Sequence, residues 1–507
     1  MALSQRLLSI LWKALLIVLP VSSFSLLSRI FGGTSVAPLA FLPMAVIIIF
    51  WWMPEFFKNG RKLPYQIKPL LVFFLFGIIS TLLANFHIVP TFRDIPWLNN
   101  SAEALITFAM GLGFYLVTIY LVKTPEKLRI ALLWISIGGI ILMLYAWFQY
   151  GTWLVFRSFP EWMYQLQAII SVNGKLYDGR AASLAFEPSW LAHELNMVYI
   201  PIWFGLSLSG QSIFEKKLLN KIQYEKVLFV FATITLFISY SRIGWITMIV
   251  LAAYAVFRLT NNWIGNLSEG RQKRSGVLKL GKQHLFRLGI WTGLLLGFIG
   301  LILFAGWIMT KIEPRMAGLF DIQRFINFGF LGWASKLSFA ERIIFWMAAY
   351  NVFQLYPIFG AGFGLPGYYF PSTAPDFGTR LPEINKVVLS QNFIPNAKNL
   401  WVRLLSETGI IGFALFVSWL VIHWRNANEL DKDSKPGLLK AMGLIGKLIV
   451  LAMIVEGFSL DTFGLPYYWI GLGLIAASWW ANERLKLSPQ EIESTSANIE
   501  VTNDIKA

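Results

Sequence analysis

Apolar runs of roughly 20 residues recur along this chain almost to its end. A helix of that length crosses the roughly 30 Å hydrocarbon core of a bilayer, where the backbone must satisfy its own hydrogen bonds. The expected fold is therefore an all-α polytopic membrane protein. Composition agrees, since 56% of the 507 residues are hydrophobic and only 14% charged. A soluble domain keeps about 25% charged residues, so an ordinary cytosolic enzyme is excluded. The chain has no cysteine, which rules out disulfides, thiolate metal sites and a cysteine nucleophile. Its net charge of +16 would suit nucleic acid in a soluble protein. In a membrane protein it points to basic cytoplasmic loops or an anionic lipid substrate. The 22 tryptophans suit anchoring at two lipid–water interfaces.

Twelve helices are expected, near 7–28, 36–53, 69–87, 102–122, 128–150, 186–208, 227–240, 243–257, 289–310, 400–424, 438–457 and 466–481. The seventh and eighth are short and could join into one helix. Both their flanks are basic, however, with Lys216, Lys217, Lys221 and Lys226 before and Arg258, Arg271, Lys273 and Arg274 after. Basic flanks prefer the cytoplasm, so the pair reads as a hairpin with Tyr240-Ser241-Arg242 at its outer tip. The remaining short loops then agree, and both termini fall inside. Arg6 before the first apolar run resembles a signal-peptide start, but no small-residue cleavage site follows, and the run is kept as a helix. Residues 1–487 form one helical membrane domain, with a large structured extracytoplasmic loop at 311–399 between the ninth and tenth helices. That loop holds a helical stretch at 338–355 and a Gly/Pro-rich stretch at 357–378. The polar segment 488–507 reads as a disordered cytoplasmic tail.

Several residues can carry chemistry at the outer face. Arg242 opens a helix at the lipid interface, where a guanidinium is costly unless it meets an anion, a carboxylate or water. Arg342 follows Ser338-Phe-Ala-Glu341, whose spacing fits a capping box. It would then stand on a first helical turn beside backbone N–H groups, a place suited to phosphate. Topology fixing, or pairing with Glu341 or headgroups, would explain the two arginines equally simply. Pro188 suits a first helical position, making Glu187 an N-cap as readily as a catalytic carboxylate. His193 and Glu194, two turns deeper, read either as functional or as a polar pair that stabilises the bundle. Lys398, in Asn396-Ala-Lys398-Asn399, can neutralise phosphate or, if desolvated, act as a base; it also suits an interface lysine. Pro357-Ile-Phe-Gly360-Ala-Gly362-Phe-Gly364 lacks the Lys-[Ser/Thr] of a P-loop and reads as a tight turn. The four histidines, at 87, 193, 284 and 423, are scattered and suggest no metal site.

Taken in order, these segments form a series: Arg180-x-x-Ser-x-x-Phe-Glu-Pro-Ser, Ser239-x-Ser-Arg242, Glu341-Arg342-x-x-x-Trp346, Pro357-x-x-Gly-x-Gly, Asn396-x-x-Asn399 and Glu407-x-Gly-x-x-Gly412. The series, covering about 180–412, resembles the bacterial O-antigen ligase/polymerase superfamily. The resemblance implies an inverting, metal-independent glycosyltransferase of the bacterial inner membrane. No cofactor is implied, and the active site would face outward. The donor would be a glycan on undecaprenyl diphosphate and the acceptor a second glycan. Membrane lipid and a chain-length regulator protein would be partners, and nucleic acid would not. Arg242 and Arg342 match arginines that hold the donor diphosphate, with Arg180 a third candidate.

One position departs from the family. Where the ligases carry a histidine thought to assist the acceptor hydroxyl, this chain has Lys398. That shifts the expectation toward polymerisation of repeat units, with Lys398 or a carboxylate (Glu187, Glu194 or Glu407, Glu187 first) as the catalytic residue. A ligase acting on a lipid or protein acceptor is the alternative within the class. A transporter or flippase of lipid-linked sugar is the alternative outside it. Against transport, the halves are not alike and the candidate charges cluster at one face.

Overall fold

The computed structural model describes residues 4–60, 63–86, 89–272, 280–312, 316–337, 339–376, 378, 381, 384–385 and 394–486. Among these there is no β-strand, only isolated bridges such as Ser23 with Ala37. The first half of the chain forms α1 (Gln5–Ile17), α2 (Ser25–Ile30), α3 (Phe41–Ile47), α4 (Met53–Asn59), α5 (Lys68–Leu83), α6 (Trp97–Leu121), α7 (Pro125–Phe156), α8 (Glu161–Ile170), α9 (Pro188–Glu194) and α10 (Ile200–Ser209). The second half forms α11 (Tyr224–Ile238), α12 (Arg242–Gln272), α13 (Leu280–Ile312), α14 (Ile322–Lys336), α15 (Ala340–Leu355), α16 (Pro366–Thr373), α17 (Leu400–Asp433), α18 (Leu438–Glu456) and α19 (Pro466–Lys486). Eight helices among the described residues are long and apolar enough to cross a membrane. The chain is an integral membrane protein.

Each of the twelve expected runs coincides with helix, but several are interrupted. The first is not continuous: α1 stops at Ile17, ahead of Pro20, which disfavours helical geometry in the residue before it. The chain then pairs in extended form, with the Phe24 N–H donating to the Ala37 carbonyl (2.8 Å) and Leu39 to Val21 (2.9 Å). Wider π turns, Ile48–Trp52 and Leu195–Tyr199, interrupt the second and sixth runs. The first of these precedes Pro54 and the second Pro201, each lacking an N–H for the regular ladder. The seventh run is short, as expected, at 15 residues. The eighth is not: α12 runs on from the hairpin tip, and Arg242–Ile264 alone suffices for a span. Three helices were not foreseen, α8, α14 and α16, all in segments read as loops.

Buried tryptophans and tyrosines fill the central core, among them Tyr115, Trp203, Trp419 and Trp469. The segment 311–399 carries a core of its own, in which Phe345 and Val352 of α15 pack with Tyr368 and Phe370 of α16 and with Phe92. Its described residues thus pack against the chain between α5 and α6. The tail at 488–507 lies outside the described residues.

The Gly-rich stretch is a seam between backbones. At Gly409 (φ +61°) α17 breaks, exposing carbonyls at Ser406 and Glu407 that accept the N–H groups of Ala361 (2.8 Å) and Gly362 (2.9 Å). The Ile410 N–H in turn donates to the Pro357 carbonyl (2.9 Å). A Cβ on Gly360 would lie 2.3 Å from the Glu407 carbonyl carbon, and one on Gly409 2.2 Å from the Ile358 oxygen. Both glycines have positive φ, so neither tolerates a side chain. The two glycine motifs are therefore the two halves of one contact.

Candidate functional site

Four of the five candidate residues come together around one cavity of about 510 Å³. Its polar wall holds Arg180, Glu187, Ser189, Ser241, Arg242 and Arg342. Its apolar wall holds Phe330, Trp333, Phe339, Trp346 and Phe458. These residues come from segments far apart in sequence, and local structure explains how each is aimed.

Arg180 follows a turn with Gly179 at φ +67°. Its Nε donates to the Ser239 carbonyl at 3.1 Å, and the next N–H, of Ala181, donates to Ile238 at 3.0 Å. This ties the loop after α8 to the α11–α12 turn. Downstream, Gln149 Oε1 accepts the N–H groups of Ala182 (3.2 Å) and Ser183 (2.8 Å). Glu187 then occupies the N-cap of α9, with Pro188 at the first helical position. Its carboxylate does not make the cap bond; it accepts the hydroxyl proton of Ser189 instead. Glu187 is thus turned into the cavity. Tyr177, also on the cavity wall, has its phenol pKa raised by burial and then by the negative charge of Glu187.

Arg242 is the first residue of α12, placed by a tight turn in which Tyr240 has φ +51°. The Ser241 hydroxyl accepts the Gly244 N–H (3.4 Å), a weak N-cap. The Arg242 guanidinium donates to the Leu337 carbonyl just beyond α14. Arg342 sits on the first turn of α15, as the sequence suggested. The capping box does not account for that helix start, because Phe339 is the N-cap and makes no side-chain cap bond. Ser338 lies outside the described residues. Arg342 donates to Ser459, at 2.9 Å to the hydroxyl and 3.4 Å to the carbonyl.

Three guanidiniums and one carboxylate line the same cavity, a set of charges that can hold an anion with several oxygens. Arginine offers a planar fork to such oxygens and is never deprotonated, so it can balance charge but not accept a proton.

The other candidates lie elsewhere. Lys398 does not line the cavity; its ammonium is 4.4 Å from the Phe345 ring centre and its N–H donates to Asp461 Oδ2 at 2.7 Å. Asn399 caps α17, its Oδ1 accepting the N–H groups of Trp401 (2.9 Å) and Val402 (3.2 Å). Glu407 is buried, pairs with Arg403 (2.9 Å) and accepts the Gly364 N–H (2.9 Å), which locks the glycine seam. Glu194 is fully buried in the bundle. His193 pairs with Glu456 at 2.6 Å, not with Glu194. Glu456 and Ser459 went unremarked in the sequence. The available signal was a carboxylate closing an otherwise apolar run.

The family model for O-antigen ligase matches residues 227–417, from α11 into α17. No curated protein matches the chain. The matched stretch holds Arg242, Arg342 and both halves of the glycine seam, and it identifies this part of the chain as similar to the O-antigen ligase/polymerase superfamily.

Proposed function

We propose that the protein is an extracytoplasmic, metal-independent, inverting glycosyltransferase of the bacterial inner membrane, acting in surface polysaccharide synthesis. It takes oligosaccharide units from undecaprenyl diphosphate and joins them into a longer lipid-linked chain. The observation that carries this reading is the single cavity where three arginines and one carboxylate converge. Arg180, Arg242 and Arg342 bind the diphosphate and offset the charge that builds on it as it leaves. The acceptor hydroxyl attacks the anomeric carbon from the face opposite the diphosphate. The new glycosidic bond forms as the bond to the diphosphate breaks, and that electron pair departs on the diphosphate. Glu187 takes the hydroxyl proton. Lys398 stands outside this wall, which favours Glu187 as the base. The Lys/Arg distribution between loops supports an outward-facing cavity with both chain ends inside.

The family description favours one second reading, a ligase that passes the glycan to a lipid or protein acceptor. Purified protein in nanodiscs, with EDTA and undecaprenyl-diphosphate oligosaccharide, separates the two. A ladder of lengthened lipid-linked glycan, lost in Arg342→Ala, supports the polymerase. Product that needs an added lipid or protein acceptor supports the ligase. If no acceptor yields transfer while the substrate crosses liposomes, the protein is a transporter and the enzyme reading falls.

A further inference from the structure

Behind the cavity, three buried polar side chains that the proposed chemistry does not use meet at one point. His193, Asn196 and Glu456 are at most 1% exposed. His193 Nδ1 lies 2.6 Å from Glu456 Oε2, and Asn196 Nδ2 donates to Glu456 Oε1 at 2.6 Å. The same Asn196 nitrogen donates to the Gly244 carbonyl at 2.9 Å.

Each member is one short step from a cavity residue. His193 lies one turn beyond Ser189 on α9. Gly244 lies two residues beyond Arg242 on α12, and its α-carbon packs so closely that a Cβ would sit 2.8 Å from Ala192 Cβ. Glu456 ends α18, and its carbonyl accepts the Ser459 N–H at 2.9 Å. Ser459 is the residue that holds Arg342. The helices carrying Glu187, Arg242 and the partner of Arg342 are thus joined through Glu456 and, for α12, through Asn196. Burying such a group is costly where apolar packing would hold helices together as well. What a cluster that bonds both oxygens of the carboxylate adds is a defined geometry, with Asn196 Oδ1 alone left without a hydrogen-bond partner in it.

We infer that Glu456, with His193 and Asn196, positions the donor clamp: it fixes the spacing of Arg242 and Arg342 so that both reach one diphosphate. This inference rests on the reading of the cavity as a diphosphate site. None of the three is a catalytic residue; they act through the arginines.

The test uses the full-length protein in nanodiscs with farnesyl diphosphate as the probe. Affinity is measured together with the coupling between Arg242→Lys and Arg342→Lys in a double-mutant cycle. Glu456→Leu is expected to weaken binding about tenfold and to abolish the coupling, since it removes the shared charged acceptor. Glu456→Gln keeps an acceptor for Asn196 and a partner for His193, and is expected to restore both. A folded Glu456→Leu protein with wild-type affinity and coupling overturns the inference, as does one that melts earlier yet keeps the coupling. If Glu456→Leu does not fold, Asn196→Ser, which cuts only the link between Glu456 and Gly244, is judged by the same two results. If Arg242→Ala and Arg342→Ala leave farnesyl diphosphate binding unchanged with the cluster intact, the diphosphate reading itself is wrong.

Discussion

Replacing Arg342 with alanine tests the donor site most directly. One guanidinium nitrogen is engaged by Ser459 at 2.9 Å, which leaves the planar group anchored at one corner and aimed into the cavity. Opposite unit charges about 4 Å apart interact by about 4 kcal/mol at an effective dielectric constant near 20. Arg342 is only half-buried, so solvent screening reduces this to about 2–3 kcal/mol. That corresponds to a loss of roughly 30- to 150-fold in kcat/KM for the lipid-linked donor. Arg342→Lys keeps the charge but loses the fork, and a loss of about tenfold is expected. Initial rates of glycan extension, at fixed acceptor and constant ionic strength, give both numbers. The reasoning fails if Arg342→Ala retains kcat/KM within about threefold of wild type with its thermal midpoint unchanged, or if the lysine variant is as impaired as the alanine.

Five further outcomes follow from individual positions. Glu187→Gln keeps a partner for the Ser189 hydroxyl but cannot accept a proton, so kcat should fall about 10²-fold or more with donor KM little changed; Lys398→Met, outside the cavity, should stay within a few-fold of wild type in the same assay. Gly360→Ala forces a Cβ onto the Glu407 backbone and should cost at least about 2 kcal/mol of stability, read as a lower thermal midpoint. Gly151→Ala, in helix α7 with nothing within 4 Å of the added carbon, should instead raise the midpoint slightly. At the other end of the bundle, Asp431 joins Arg258 (two bonds at 2.6 Å) and Lys447 (2.8 Å); Asp431→Asn leaves two cations facing each other and should destabilise by about 2–4 kcal/mol, measured by thermal unfolding in detergent.

The apolar runs were legible because lipid imposes a simple demand, and every run coincides with helix. Breaks within the runs were harder to read. The break after α1 could have been read from Pro20, and Pro201 marks the turn at Leu195–Tyr199, but neither proline says how the freed backbone will be satisfied. Helix α14 was missed for a different reason. Ile322, Phe325, Ile326 and Phe328 are exposed in the fold, so its apolar residues do not mark a core-facing stripe. In the site, Arg242 and Arg342 were legible from cost alone, as guanidiniums at helix starts near lipid. Arg180 and Glu187 became candidates mainly through their place in the motif series. Ser459 carries no such signal, and the carboxylate of Glu456 at the end of an apolar run does not say which helix ends arrive beside it.

The way the arginines are held bears on the chemistry. Arg180 is oriented by the Ser239 carbonyl, Arg242 by the Leu337 carbonyl and Arg342 by Ser459. The Ser459 contact directs the Arg342 guanidinium with a dipole, which orients the cation without cancelling its charge. A carboxylate in those places would fix the same geometry but compete with the substrate anion. Carboxylates do serve as direct partners elsewhere, for Arg258 and Arg403, where no ligand reading is needed. On the diphosphate reading, an oxygen dipole suits Arg342, whose charge would have to meet the substrate anion. The distinction can be measured: placing a carboxylate at Ser459 (Ser459→Asp) should keep Arg342 in place yet raise the donor KM by about tenfold or more, since the new charge offsets one guanidinium. Unchanged donor KM in a folded Ser459→Asp enzyme would mean that Arg342 does not meet the substrate anion.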